Sequence, residues 1–214
     1  LYGDGHAEVL VARAFRGRRE ELVIATKGGM LPHSGFVMPQ DFTLGHLQRA
    51  FVASLERLET DYVDLYQLHS PTLADLEANP MVFEWLEQLK ADGRIRASGV
   101  SVRSPKDGLA VLEGWDVDVI QVNFNLIDQR ALEVGLLDRA AERGVGVIAR
   151  TPLAFGYLSG KLDGKETLSP GDHRANWPRD QLERWARAPQ KFAALNEEPL
   201  RAGRERSMVQ LALQ

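Results

Sequence analysis

One pattern recurs along the chain and narrows its architecture more than any other. A short apolar run ends in a polar side chain, and a stretch with helical spacing follows. Residues 61–69 show it most clearly: Tyr62, Val63, Leu65, Tyr66 and Leu68 form a β-branched and aromatic run without Gly or Pro. It stops at His69, before Ser70 and Pro71. Residues 21–27 form an apolar run ending in Lys27, and residues 95–101 end in Ser101. Residues 117–121 lead through Gln121 into Val122 and Asn123, and residues 144–150 end in Arg150. Each of these predicted strands delivers a polar side chain at its C-terminal end. In a parallel barrel that end is the catalytic rim.

Helical patterns fill the gaps. Residues 5–15 carry Leu10 and Ala14 on one face, with Glu8 in the first turn where the helix dipole favours a carboxylate. Thr43 is a candidate cap for the stripe Leu44, Leu47, Phe51, Leu55 and Leu58. Pro80 or Met81 opens a helix with Val82, Leu86 and Leu89 inward, and Gly93 is its expected stop. Ser104 and Pro105 read as a cap and a first helical position, followed by Leu109 and Leu112. Residues 131–143 read as one helix, another starts near 179, and the last begins at Arg204. Two long loops, residues 28–41 and 151–178, remain.

Strict alternation of strand and helix means a parallel sheet with helices outside it. A doubly wound sheet usually carries G-x-G-x-x-G after its first strand. Here Gly3-Asp4-Gly5 lacks the third glycine, and Gly144-Val145-Gly146 begins a strand instead of following one. The reading is therefore α/β of (β/α)8 TIM-barrel type, in a single domain over residues 1–214 with no linker or low-complexity segment. A net charge of -4 and a pI near 5.8 argue against a nucleic-acid partner. No apolar run is long enough to span a membrane. There is no cysteine, which removes disulfides and thiolate chemistry and fits a reducing compartment, so a cytoplasmic location is expected. The chain opens on Leu1 and not Met, with no signal peptide, and its N-terminus reads as not the native one.

Six stretches, in order, resemble the aldo-keto reductases: residues 1–8, Ile24 to Gly28, Leu65 to His69, Gly99 to Ser101, Gln121 to Asn125, and Thr151 to Gly156. The resemblance covers nearly the whole chain. It implies a (β/α)8 barrel that binds NADPH without a Rossmann fold and reduces aldehydes and ketones to alcohols. A small-molecule carbonyl is then the expected partner. The family's catalytic tetrad is Asp, Tyr, Lys and His. Tyr2, Lys27 and His69 match three of them, and the aspartate is expected upstream of Leu1. The first two barrel strands, the last strand and the 2′-phosphate clasp are also expected outside residues 1–214. This stretch is therefore expected to be an incomplete barrel, an open sheet that is not an active reductase by itself.

Reducing a carbonyl needs a hydride donor and a proton donor at the developing alkoxide. A phenol, with a pKa near ~10, is a poor acid at neutral pH until an ammonium beside it favours the phenolate. That is the reason for pairing Tyr2 with Lys27. Taken singly, Tyr2 also reads as a turn tyrosine, Lys27 as a solvated strand end and His69 as a core histidine. No second histidine stands at ligand spacing beside His69, so no metal is expected. In the resemblance His69 orients the substrate carbonyl. Ser101 and Gln121, with Asn123 beside them, match positions that hold the nicotinamide carboxamide. The family often has Asn after this serine, and here Val102 stands there. Arg150 occupies the place of a stacking aromatic. Thr151, Pro152, Leu153, Gly156 and Ser159 fall on the loop that covers the pyrophosphate, with Lys161 and Arg174 as its cations. Met30, Phe36 and Met38 on the other long loop are candidates to line a substrate pocket, but apolar residues on loops more often pack back on the fold, and they stay outside the site. A second function class stays open, a cofactor-binding regulatory subunit of the same family without turnover. A third is an unrelated barrel hydrolase or isomerase using His69 and Lys27.

Overall fold

The computed structural model describes residues 2–32, 38–196 and 206–214. Phe36 of the first long loop and Arg204, the expected start of the last helix, lie outside the described residues. The chain divides into two compact units: Leu1–Val122 with Val134–Ile148, and Asn123–Glu133 with Ala149–Gln214.

The first unit is built on a five-stranded sheet, of which only Asn123, Ala149 and Arg150 are counted with the second unit. Its strands are β1 (Ala25–Gly28), β2 (Val63–His69), β3 (Ile95–Ser101), β4 (Val119–Asn123) and β5 (Gly146–Arg150), in the spatial order β1-β2-β3-β4-β5. Strands β1 to β4 pair in parallel. A doubly wound sheet reverses its strand order at a switch point. This order runs one way from end to end, as in a stretch of a (β/α)8 barrel. Helix α1 (His6–Ala14) precedes the first strand, and between the strands run α2 (Leu44–Leu58), α3 (Leu73–Ala78), α4 (Met81–Ala91), α5 (Pro105–Gly114) and, after α6 (Arg130–Glu133) of the second unit, α7 (Leu136–Glu142).

Strand β2 is buried from Val63 through Leu68. Parallel strands covered on both faces read as continuous apolar runs, which is why this one is so plain in the sequence. On its helix side, Tyr66 packs edge-on against Phe51 of α2 and Trp85 of α4, with ring centroids 4.9 and 6.0 Å away. Helix α2 buries Leu47, Phe51, Leu55 and Leu58, the predicted stripe without Leu44.

Local differences from the sequence reading have visible causes. The first strand starts at Ala25, and Arg19–Glu21 form a 3-10 turn instead. Arg19 and the Ile24 amide are drawn to the buried Asp64 carboxylate, each donating at 2.8 Å. Thr43 does not cap α2 with its side chain; its amide donates to Asp41 Oδ1 at 2.8 Å. Residues 131–143 are not one helix, because Gly135 takes φ 76° between α6 and α7. Helix α3 escaped the sequence reading, although Thr72 and Asp75 close a reciprocal capping box on it. The Ser104 cap stands as expected, accepting from the Asp107 amide at 3.1 Å.

The second unit holds 3-10 turns at Ala154–Ser159 and His173–Asn176, so the long loop predicted over 151–178 is largely turned structure. Helices α8 (Arg179–Ala186), α9 (Ala188–Phe192) and α10 (Met208–Ala212) follow. Its core joins Ala154, Leu158 and Ala188 with Leu126, Ile127, Phe192 and Ala212. Among the described residues no helix is long and apolar enough to cross a membrane, and no group of His, Asp and Glu could hold a metal.

Candidate active site

Side chains alternate along a strand, so Gln67 and His69 of β2 face one way and Tyr66 and Leu68 the other. The register places Lys27 beside Gln67, His69 beside Ser101, and Ser101 beside Gln121. Lys27, Gln67, His69, Ser101 and Gln121 therefore share one face near the C-terminal ends of four adjacent strands. Gly99 lies between Gln67 and Val119 in the same row. A Cβ there would come within 2.6 Å of the Val119 carbonyl oxygen, so the glycine lets the strands close up behind this face.

Tyr2 arrives from outside the sheet. It stands on a turn in which Gly3, Asp4 and Gly5 all take left-handed conformations, with φ of 58°, 51° and 91°. That turn feeds α1. The Tyr2 ring is 65 % exposed, 6.0 Å from the His69 ring between centroids, and the Lys27 ammonium lies 5.5 Å from its centre. That is cation–π distance. Tyr2, Lys27 and His69 line one cavity of about 140 Å³ together with Glu8 and Thr26. The structure thus brings these three predicted residues together from a turn and two strand ends.

The strand end that carries His69 is braced. Gln40 donates to the His69 carbonyl at 2.7 Å and to that of Ser70 at 3.1 Å, and Arg103 donates to Ser70 at 2.8 Å. Ser70 itself is left-handed, φ 58°. Gln40 and Arg103 were invisible as site supports in the sequence, because they lie on loops far apart in the chain.

Ser101 is fully buried. Oε1 of Gln121 is buried and has no hydrogen-bond partner among the described residues, and the same holds for Oε1 of Gln67. An unpartnered acceptor on this face suits a ligand that carries an NH2 group, as a carboxamide does. Gln67 is the residue the sequence reading passed over, since it sits inside an otherwise apolar run.

The remaining candidates belong to the second unit. Arg150 donates from Nε to Asn123 Oδ1 at 2.8 Å, and Thr151 Oγ1 lies 3.3 Å from the same oxygen. Asn125 donates to the Thr151 carbonyl at 3.0 Å. Pro152 and Leu153 are half-buried, and the Gly156 and Leu158 amides fold back on the Leu153 carbonyl at 2.9 and 3.1 Å. Ala154, Phe155 and Gly156 form a second left-handed run, with φ of 46°, 56° and 98°. Ser159 ties it by donating to the Gly156 carbonyl at 2.6 Å, and the Lys161 amide donates to Ser159 Oγ. Lys161 is exposed. Arg174 is engaged within the unit: Nε and Nη2 donate to Asp172 at 3.0 and 2.7 Å, and Nη1 to the Phe155 carbonyl at 3.1 Å. Hydrogen bonding from Arg174 holds the Asp172 carboxyl at about 2, well below the usual carboxylate range.

Comparison with known proteins bears on this arrangement. A family model described as the aldo/keto reductase family matches residues 1–214. The oxidoreductase YqkF of Bacillus subtilis is 35% identical over 162 residues, covering 75% of this chain and 52% of its own length. The holo form of an aldo-keto reductase from Bacillus halodurans superposes with a TM-score of 0.71 at 32% identity, covering 100% of this chain and 64% of that one. An aldo/keto reductase from Klebsiella pneumoniae, solved in complex with NADP and acetate, gives a TM-score of 0.58 at 32% identity, over 77% of this chain and 56% of that one. The chain spans about half the length of the first curated relatives it matches.

Proposed function

The chain belongs to the aldo/keto reductase family, and from that premise we propose that the whole protein reduces the carbonyl of a small aldehyde or ketone with NADPH. The observation that carries this reading is the convergence of Tyr2, Lys27 and His69 on one cavity. A solvated lysine, a turn tyrosine and a core histidine would have no reason to share it.

When bound, a reduced nicotinamide supplies the hydride to the carbonyl carbon. The chain's own residues do the rest. The Tyr2 hydroxyl donates its proton to the carbonyl oxygen as negative charge develops there. The Lys27 ammonium near the ring stabilises the phenolate that is left. His69, beside Tyr2, donates a hydrogen bond to the same oxygen and orients it. Ser101 and Gln121 would hold the carboxamide, the unpartnered Gln121 oxygen accepting from its NH2 group. Arg150 is the residue that would meet the ring face, since a guanidinium stacks as an aromatic does. Thr151, Pro152, Leu153, Gly156 and Ser159 form the covering turn, and the exposed Lys161 is the cation available to a phosphate. Arg174, taken up by Asp172, contributes by shaping that turn through the Phe155 carbonyl as well as by its charge. NADP in the Klebsiella pneumoniae relative and Lys161 on the covering segment support NADPH as the cofactor.

The experiment is Tyr2→Phe in the full-length protein. Turnover should fall ~10²–10⁴-fold, the range for a lost general acid, while the NADPH dissociation constant stays within about twofold. Turnover within about threefold of wild type would contradict Tyr2 as the proton donor.

A further inference from the structure

Tyr2 is poorly held by its own side chain. Its ring is 65 % exposed, and the turn beneath it passes through three left-handed residues in a row. Among the described residues, backbone bonds from the His6 amide to the Gly3 carbonyl and from the Ala7 amide to the Tyr2 carbonyl tie that turn to α1. Only Ala12 of α1 is buried, so apolar packing does little to fix the end of the helix nearest Tyr2. Yet the proposed chemistry needs the Tyr2 hydroxyl placed against Lys27, which belongs to a different element.

Glu8 joins the two. One carboxylate oxygen, Oε1, accepts from Thr26 Oγ1 at 2.5 Å, and Oε2 accepts from Arg57 Nε at 2.7 Å. Arg57, on α2, also donates to Ser54 Oγ at 3.2 Å, which aims its guanidinium. Both members of the Glu8–Arg57 pair are mostly buried, with side chains 16% and 25% exposed. A charge-assisted bond shielded in this way is stronger than its surface counterpart. Thr26 directly precedes Lys27 in β1, so the bond to its hydroxyl fixes the backbone from which Lys27 projects. Gly5 makes the contact possible: it needs the left-handed φ, and a Cβ there would collide with Arg57 Nε. A carboxylate that only served the helix dipole would face water. This one has both oxygens bonded and lines the cavity with Tyr2 and Lys27.

We propose that Glu8 is a positioning residue for the Tyr2–Lys27 pair, a strut that sets the Tyr2-bearing turn against the Lys27-bearing strand. The proposal rests on the functional reading above. It adds that the spacing of proton donor and ammonium is set by a carboxylate outside the tetrad pattern. Misplacement by about 1 Å costs up to ~10²-fold in rate when the groups themselves are intact.

The test compares wild type, Tyr2→Phe, Glu8→Ala, Glu8→Gln and Thr26→Val in the full-length protein, with an aldehyde substrate and NADPH. Glu8→Ala should lower kcat ~10–10²-fold while KM for the aldehyde and the NADPH dissociation constant stay within about twofold. Glu8→Gln, whose amide can accept from Arg57 and donate to Thr26 Oγ1, should return kcat to within about threefold of wild type. Thr26→Val, which loses one of the two bonds and keeps the shape, should fall between. If Glu8→Ala does not fold, Thr26→Val decides by the same split between kcat and KM. Glu8→Ala with kcat within about threefold of wild type overturns the proposal. So does a loss of kcat and cofactor affinity together, with Glu8→Gln no better than Glu8→Ala, which is the mark of general destabilisation. A Tyr2→Phe control that keeps full turnover shows instead that the underlying assignment of Tyr2 has failed, and the strut falls with it.

Discussion

A buried acceptor left without a donor costs roughly 1–3 kcal/mol, so each such atom asks what it is for. Gln121 and Tyr66 answer differently. Gln121 Oε1 lies on the face shared by Lys27 and His69, where the proposed cofactor would supply the donor. Gln121→Leu should therefore weaken NADPH binding roughly tenfold, about 1.4 kcal/mol, with no loss of thermal stability; fluorescence titration and a melting curve check both. The Tyr66 hydroxyl lies on the opposite face, 0% exposed, and burial pushes its pKa far above the usual range. It has no partner among the described residues, so Tyr66→Phe should leave stability unchanged or raise it by up to about 1 kcal/mol. A loss greater than that in urea unfolding would mean that the hydroxyl has a partner. Lys27, His69, Ser101 and Gln121 were singled out in the sequence because strand ends with one polar residue stand out against apolar runs, and Tyr2, on a turn, was singled out through the family resemblance. Gln67 was not, since a polar residue inside a run reads as an ordinary strand position. Glu8 was read only as a first-turn carboxylate, because its partners Thr26 and Arg57 are 18 and 49 residues away.

Elements hold the site through close approaches that sequence patterns do not display. Gly28 at the end of β1 lies against Tyr66: a Cβ would run into the Tyr66 hydroxyl and come within 3.1 Å of Leu47 of α2. Gly28→Ala should destabilise the protein by about 1–3 kcal/mol, the cost of overpacking, and displace the neighbouring Lys27; the melting temperature and kcat should fall together. In the second unit, the Arg174 hydrogen bonds hold Asp172 at about 2, against an ordinary value of 3.8. A carboxyl depressed in the folded state lends stability that is complete above the ordinary value and is lost as pH falls from about 4 toward 2. Phe155, His173, Trp177 and Trp185 form one aromatic cluster there, with centroids 4.7 to 6.1 Å apart. Tryptophan emission should therefore change across that acid window, and Asp172→Asn should remove the change. Emission that follows the same curve in the variant would contradict the assignment. Most elements were legible from hydrophobic period and caps. One exception was set by contacts distant in sequence, Asp64 drawing in Arg19 and Ile24, and another by a local one, Asp41 taking the Thr43 amide two residues on. Gly135 broke a helix that period alone made continuous.

At the scale of the whole molecule, alternation of strand and helix foretold a parallel sheet, and the one-way order β1 to β5 is that of a barrel stretch. Among the described residues β1 and β5 each have a single neighbour in the sheet. The chain spans about half the length of the first curated relatives it matches, and the proposed activity is tested in the whole protein. In the proposed reaction this site passes a hydride from a nicotinamide to a carbonyl carbon, with Tyr2 supplying the proton. The most direct measurement incubates the full-length protein with NADPH deuterated at the transferring position of the ring and an aldehyde, and locates the label in the alcohol by mass spectrometry and NMR. Deuterium should appear on the carbinol carbon with wild type, with at most about a hundredth as much product from Tyr2→Phe in the same time. Bound NADPH with no deuterated alcohol from wild type, or equal label from both proteins, would contradict it.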